Sequence, residues 1–327
     1  MDMDKIRVGV IGVGSLGQHH ARVYSSLPEA ELVGVVDAVP EKAGEIAARF
    51  GTNAWSDYTE LFGKVDAVSI AAPTTLHAEI GIHCLNEGIH VLAEKPIAHT
   101  IEAAENLIHT AREKDRILQI GHLERFNPAV VALREIVTRP RFFEAHRMGL
   151  FSPRSLDVDV ILDLMIHDLD IISLLVPSAV EKITAVGIAI LSNRIDIANA
   201  RIQFADGCVA NITASRVSME KIRKLRLFQK QEYISLDYTR QDLAVFNLKH
   251  HEGSPLPEIV NQVIEPEKKE PLALELISFL GAIRGEHHVA CKGEEGLGAL
   301  RLAMQIREQA ESAQAREFDS VAGTALQ

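Results

Sequence analysis

Ile6-Arg-Val-Gly-Val-Ile-Gly-Val-Gly-Ser-Leu-Gly17 is the stretch that decides the fold. An apolar run, Ile6–Ile11, reads as a buried strand. It gives way to glycines at 12, 14 and 17 and then to a helical pattern from about Ser15 to Ser26. Each glycine has its own reason. Gly12 permits the tight turn, Gly14 lets a pyrophosphate approach the backbone, and Gly17 lets the helix pack closely on the strand. Free N–H groups and the helix dipole then favour phosphates. A second strand, Glu31–Val36, ends on Asp37, 20 residues beyond Gly17, where a carboxylate meets ribose hydroxyls. Turns use glycine freely, so the glycine pattern alone is weak. The preceding strand, the following helix and the carboxylate make it a dinucleotide site, with Gly12, Val13, Gly14, Ser15, Leu16 and Gly17 as the phosphate loop. Asp37 repels the 2′-phosphate of NADP, and Ala38 and Val39 supply no arginine for it. NAD is the expected cofactor, with Lys42 a turn later keeping NADP as the second choice.

Working outward, the same alternation continues. Pro40 opens a helix at its first position, where a missing N–H costs nothing, and Gly51 closes it. Val65–Ala71, helix Leu76–Glu87 with Gly88 beyond it, Ile89–Ala93, helix Ile101–Lys114 and strand Ile117–Ile120 complete the series. Strands alternating with helices require parallel pairing and crossovers, hence a doubly wound sheet. After His122 the rhythm changes. Asn127-Pro128 begins a helix to Val137, Arg141–Met148 reads as a strand, and Val160–Leu175 reads as a helix stopped by Pro177. From Val180 to Phe246 strands follow one another across turns such as Ala205-Asp206-Gly207, the pattern of a mostly antiparallel sheet. Helices near Leu272–Arg284 and Glu294–Gln314 end the chain. The expected fold is α/β: an N-terminal Rossmann domain over residues 1–122, then an α+β domain over 123–327 carrying a mostly antiparallel open sheet.

Composition narrows the function. The 327 residues are 47% hydrophobic, enough to fill two cores. A net charge of -11 argues against a nucleic-acid binder, which needs a basic face. No apolar run approaches membrane-spanning length. Cys84, Cys208 and Cys291 lie far apart, so neither a disulfide scaffold nor a thiolate zinc site is expected. Cys84 reads as a core residue. Met1-Asp-Met-Asp-Lys5 is acidic and runs straight into a strand, so no secretory leader is expected and the location read is cytoplasmic.

Two further groups carry chemistry. Glu94-Lys95-Pro96 follows the strand Ile89–Ala93, and ligands of open parallel sheets lie beyond the carboxyl ends of the strands. Lys95 is thereby placed at the cleft, with Pro96 fixing its turn. In isolation the tripeptide would read as a surface loop. Asp163 and His167 lie four apart on a helical pattern and share a face. An aspartate beside a histidine can orient the imidazole for acid-base work. Carboxylate and imidazole at this spacing also suit zinc, but hydride transfer needs no metal, and none is expected. Asp168 and Asp170 read as structural. The pairs His19-His20, His250-His251 and His287-His288 point to different sides and form no chelate alone.

Taken together, the motifs resemble the Gfo/Idh/MocA family of NAD(P)-dependent sugar oxidoreductases over nearly the whole chain. The carrying segments are Gly12–Gly17, Ala71-Ala-Pro-Thr-Thr-Leu-His77, Glu94-Lys95-Pro96, Gly121-His-Leu-Glu-Arg-Phe-Asn-Pro128 and Asp163–His167. The resemblance implies that Ala72, Pro73, Thr74 and His77, with Glu94 and Lys95, lie against the cofactor. It also implies that Lys95, Asp163 and His167 form the catalytic group that oxidises a carbinol. Arg125-Phe-Asn-Pro128, Phe151–Asp159 and Leu162–Asp170 are similar to nucleotide-sugar 3-dehydrogenases, which oxidise the 3-hydroxyl of UDP-N-acetylglucosamine or its uronate. On that reading Lys95, Arg125, Asn127, Arg154, Asp163 and His167 meet the substrate. Arg125, Arg154 and either Arg216 or Arg223 would face the diphosphate, unless they form ion pairs on the surface or between subunits. Two alternatives stand beside this: a free-sugar or inositol dehydrogenase, and an NAD(H)-binding regulatory protein without turnover. A homodimer or homotetramer is expected, because an open antiparallel sheet commonly buries its second face against a partner.

Overall fold

The structure is a computed structural model that describes residues 5–151, 158–249 and 258–324, with side chains up to residue 313. Strands β1 (Ile6–Ile11), β2 (Ala30–Val36), β3 (Asn53–Trp55), β4 (Ala67–Ile70), β5 (His90–Glu94) and β6 (Leu118–Gly121) form one parallel sheet. Their order is β3-β2-β1-β4-β5-β6, the doubly wound order whose reversal point lies between the first and fourth strands. Helices α1 (Gly17–Ser26), α2 (Pro40–Phe50), α3 (His77–Asn86) and α4 (Ile101–Glu113) make the crossovers. Local chemistry fixes their ends. Pro40 stands at the start of α2 and Gly51 ends it at φ 66°. Thr100 caps α4 by accepting the Ala103 N–H at 3.1 Å.

The chain divides into two compact units. One comprises Met1–Phe126 with Lys269–Leu300, the other Asn127–Lys268 with Arg301–Gln327. A boundary at 122/123 therefore omits a returning segment. The physical reason is the apolar stripe of α7 (Pro271–Ile283): Leu272, Leu276, Phe279, Leu280 and Ile283 pack into the same core as Ile6, Val8, Val10, Val23, Tyr24 and Leu92. Leu272 and Ile283 are partly buried, and each of the fully buried side chains contributes roughly 1.5–3 kcal/mol.

In the second unit, α5 (Pro128–Ile136) precedes β7 (Phe142–Met148), and α6 (Ile166–Leu175) precedes seven more strands. These are β8 (Val180–Ile188), β9 (Ile197–Phe204), β10 (Val209–Ser215), β11 (Ile222–Gln229), β12 (Glu232–Asp237), β13 (Asp242–Lys249) and β14 (Glu258–Ile264). The eight strands run β14-β13-β12-β11-β7-β10-β9-β8, antiparallel except for the β7–β10 pair. Side chains alternate across the sheet. Phe143, Ala145, Leu225, Leu227, Ile234 and Leu236 are buried. On the opposite face Phe142, Phe228, Tyr233 and Phe246 form a cross-strand ladder of rings with centroids 5.8, 4.9 and 5.2 Å apart. α8 (Gly293–Thr324) follows, ending ten residues beyond the expected Gln314. Among the described residues, no helix is long and apolar enough to cross a membrane.

The expected single helix over Val160–Leu175 begins differently. Ile161–Met165 is a π-helical turn, and α-helix starts only at Ile166. Asp159 caps this turn, its Oδ1 accepting the N–H groups of Ile161 (2.9 Å) and Leu162 (3.0 Å).

Candidate functional site

In the first unit the glycine turn has the geometry a phosphate cradle needs. Gly12 has φ +85°, and a Cβ there would lie 2.6 Å from the Ala72 backbone nitrogen. A Cβ on Gly17 would stand 1.7 Å from the Gly12 carbonyl oxygen, whereas one on Gly14 would meet nothing within 4 Å. Two glycines are thus required by close backbone approach, and the third faces open space. Leu16, at the N-cap of α1, gives it no side-chain hydrogen bond, and the Gln18 and His19 N–H groups bond back to the Gly14 (3.4 Å) and Leu16 (2.8 Å) carbonyls of the turn. Ser15 and Leu16 are exposed, and Val13 is buried. Asp37 is tied to the turn: its Oδ2 accepts the Val13 N–H at 3.0 Å and its Oδ1 the Val39 N–H at 3.0 Å. An open cradle, a helix start without a side-chain cap and a carboxylate at the strand end fit a dinucleotide.

Two more turns stand at the carboxyl ends of neighbouring strands. Ala72 and Pro73 follow β4 and lead into a tight turn at Thr74–Leu76. Glu94 ends β5, Lys95 is half-buried, and the Lys95–Pro96 peptide bond is cis. His77 joins the two turns. Its ring nitrogens face the Pro96 carbonyl oxygen at 2.9 Å and the Ala72 carbonyl oxygen at 2.8 Å, and the side chain is buried. The imidazole is therefore turned inward, beneath the two turns. Burial pushes its pKa down, against the pull of the two carbonyls and the charge of Glu94.

Glu94 is also turned inward. Its Oε1 accepts from His20 Nε2 at 2.9 Å, and its Oε2 accepts the Lys95 backbone N–H at 3.3 Å. Burial pushes the Glu94 carboxyl up, but the hydrogen bond and charge of His20, with the charge of Lys95, hold it below the usual carboxylate range. Sequence reading missed this contact. His20 and Glu94 are 74 residues apart, and nothing local signals the pairing.

Arg125 is buried, its Nη1 donating to the Ala290 carbonyl (3.0 Å) and to Glu295 Oε1 (2.8 Å). It belongs to an internal ion pair. In the second unit, Asn127 is buried with both ends of its amide engaged. Oδ1 accepts the Ala129 N–H at 3.1 Å and Nδ2 donates to the Tyr238 carbonyl at 2.9 Å. Arg216 is buried against Asp196 at 3.1 Å and the Val158 carbonyl at 2.9 Å. Asp196 accepts three backbone N–H groups and the Ser192 hydroxyl. Burial would raise its carboxyl, but the Ser192 hydroxyl and these N–H groups bring it down to about 2. Arg154 lies outside the described residues, as do His250 and His251.

Asp163 sits in the π-helical turn and His167 in the first turn of α6, both half-buried. A π turn alters the angular step per residue, yet four residues still return to nearly the same face. The adjacent Asp168 anchors α6 to β7 through a bidentate pair with Arg147, at 2.7 and 3.1 Å. Arg147 in turn lies 4.8 Å over the Tyr238 ring. Cys84, Cys208 and Cys291 are buried and form no disulfide among the described residues, and burial pushes Cys84 up to about 12.

Comparison with known proteins agrees with this geometry. Residues 6–122 match the model of the oxidoreductase family with an NAD-binding Rossmann fold. UDP-N-acetylglucosamine 3-dehydrogenase of Acidithiobacillus ferrooxidans is 39% identical over 306 residues, covering 93% of this chain and 97% of that one. The solved structure of that enzyme superposes with a TM-score of 0.87 at 38% identity, covering 95% of this chain and 99% of the other. Myo-inositol 2-dehydrogenase of Thermotoga maritima is 26% identical over 97% of this chain and all of its own length (100%). The phosphate cradle, the sheet order and a likeness that spans both units lead to one assignment: the chain belongs to the Gfo/Idh/MocA oxidoreductase family.

Proposed function

We propose that this protein is an NAD-dependent dehydrogenase that oxidises the 3-hydroxyl of a UDP-N-acetylglucosamine-type nucleotide sugar to a ketone. The likeness to an enzyme of that activity, running almost the full length of both chains, carries the reading. Bound NAD supplies the hydride acceptor. In this reading Gly12 to Gly17 and Asp37 hold the dinucleotide, with Ala72, Pro73 and Thr74 beside it. His167 takes the hydroxyl proton as the carbon gives up its hydride, Asp163 orients the imidazole, and Lys95 stabilises the negative charge that develops on the reacting oxygen. His77 and Glu94 support the turns that carry these groups. Arg154 and Arg223 are the arginines proposed for the diphosphate.

NAD is preferred to NADP because the Asp37 carboxylate repels a 2′-phosphate. The protein acts as a homo-oligomer, and the ring ladder of Phe142, Phe228, Tyr233 and Phe246 supports pairing with a second copy through the open face of the sheet. Three cysteines that form no disulfide among the described residues support a cytoplasmic location.

The Thermotoga relative gives inositol oxidation as the second reading. NADH formation with UDP-N-acetylglucosamine, myo-inositol and simple hexoses separates the two, and turnover of free polyols alone would sink the first. His167→Ala should lower kcat by roughly 10²–10⁴-fold while the NADH Kd stays close to wild type. A protein that binds NADH but turns over none of these compounds would be a sensor.

A further inference from the structure

Glu275, on α7, has no exposed surface, and neither of its carboxyl oxygens has a hydrogen-bond partner among the described residues. An ion in that setting lacks solvation, and the cost is large enough that a carboxyl takes its neutral form instead. The titratable and charged groups of the elements around α7 are His19, His20, Arg22 and Tyr24 on α1, with Arg22 paired to Glu270, Glu94 at the end of β5 with Lys95 beside it, and Glu124 and Arg125 on the turn after β6. Arg125 is spent on Glu295, and the Gln119 amide of β6 donates to the backbone carbonyl of Glu275, at 3.3 Å. No cation in this set pairs with the Glu275 carboxyl among the described contacts. Burial, and after it the negative charge of Glu94, raise Glu275 well above the usual carboxylate range. Two carboxyls in one buried cluster then divide their protons unequally. Glu94, gripped by His20 and by the Lys95 backbone, takes the charge.

We propose that Glu275 is a positioning residue for Lys95 that acts through Glu94. As a neutral acid it lets Glu94 keep its charge on His20 and on the Lys95 N–H, and its ionisation at alkaline pH loosens that grip. The proposal rests on the reading of Lys95 as the partner of the reacting oxygen.

Glu275→Gln, isosteric and unable to ionise, tests it. A raised native pKa means that the folded protein holds a proton the unfolded chain has released. The stability from this group is thus complete below the ordinary carboxylate range and is lost as pH rises. The urea midpoint of Glu275→Gln should gain on wild type between pH 6 and pH 9, by about 0.5 M. A gap that is constant with pH, or a variant that does not fold at pH 6, overturns the proposal. The second readout is Lys95 itself, followed by NMR after reductive ¹³C-methylation and assigned with Lys95→Arg. Wild type should show an alkaline inflection besides the lysine's own titration, and Glu275→Gln should lack it. Its absence from wild type, or its persistence in the variant, overturns the coupling. Neither readout needs turnover. Failure to oxidise any sugar would sink the catalytic role of Lys95 and leave both measurements decisive for Glu275.

Discussion

The Gly17 Cα stands so close to the Gly12 carbonyl oxygen that a β-carbon would lie 1.7 Å from it. The obstacle is backbone, which cannot swing aside as a side chain can. Gly17→Ala should therefore cost about 3 kcal/mol or more, at the upper end of overpacking effects. Gly14→Ala meets nothing within 4 Å and should fold within about 0.5 kcal/mol of wild type. It should nevertheless weaken NADH by about tenfold or more, because its methyl enters the phosphate cradle. Urea denaturation and NADH fluorescence titration separate the two effects, and equal stability losses at both sites would refute the argument.

Asp37 accepts the Val13 and Val39 N–H groups, so removing the whole side chain would confuse charge with geometry. Asp37→Asn keeps an acceptor for the turn and removes the charge. The ratio of kcat/KM for NAD over NADP should fall by about tenfold or more, a like-charge contact being worth several kcal/mol. An unchanged ratio would show that something other than this carboxylate selects the cofactor.

The Arg147–Asp168 pair is almost wholly buried, with side-chain exposures of 2% and 1%. Arg147→Met strands a carboxylate in the interior and should cost about 3–5 kcal/mol. Adding Asp168→Leu removes the stranded charge and should recover most of the loss. Additive losses in the double variant would contradict this account.

His77 faces two carbonyl oxygens, yet burial, the largest influence on it, lowers its pKa. The native state therefore holds fewer protons here than the unfolded chain does. The stability it contributes is present above the ordinary histidine value of about 6.5 and is lost as pH falls toward the depressed native value. Urea midpoints at pH 7 and pH 5 should fall more for wild type than for His77→Gln. Parallel losses would mean that the imidazole stays equally protonated in both states.

Most of the first hundred residues were legible because their longer elements announce themselves locally. Glycines at 12, 14 and 17, proline at 40 and glycines at 51 and 88 mark turns whose backbone demands few residues satisfy. The three-residue edge strand β3 was missed because so short a run carries no periodicity, and β14 because Glu258–Ile264 lies beyond a stretch with no alternating pattern. The π turn was invisible since Ile161, Leu162, Leu164, Met165 and Ile166 are apolar on every side, so no period favours one helix type. The apolar stripe of α7 announced burial but not against which core. Lys95, Asp163 and His167 are proposed for the site from motif and spacing. The inward turns of His77, Glu94, Arg125 and Asn127 depend on partners that no local pattern names.

The return of α7 to the first unit bears on how the protein is made. During synthesis the sheet that holds the glycine turn is translated early, but Leu276, Phe279 and Leu280, which complete its core, leave the ribosome only after the whole second sheet. At ordinary elongation rates that delay is on the order of ten seconds. Through that interval the apolar surface awaiting α7 is unfinished, so the nascent chain should expose a chaperone-binding face there until its last helices emerge.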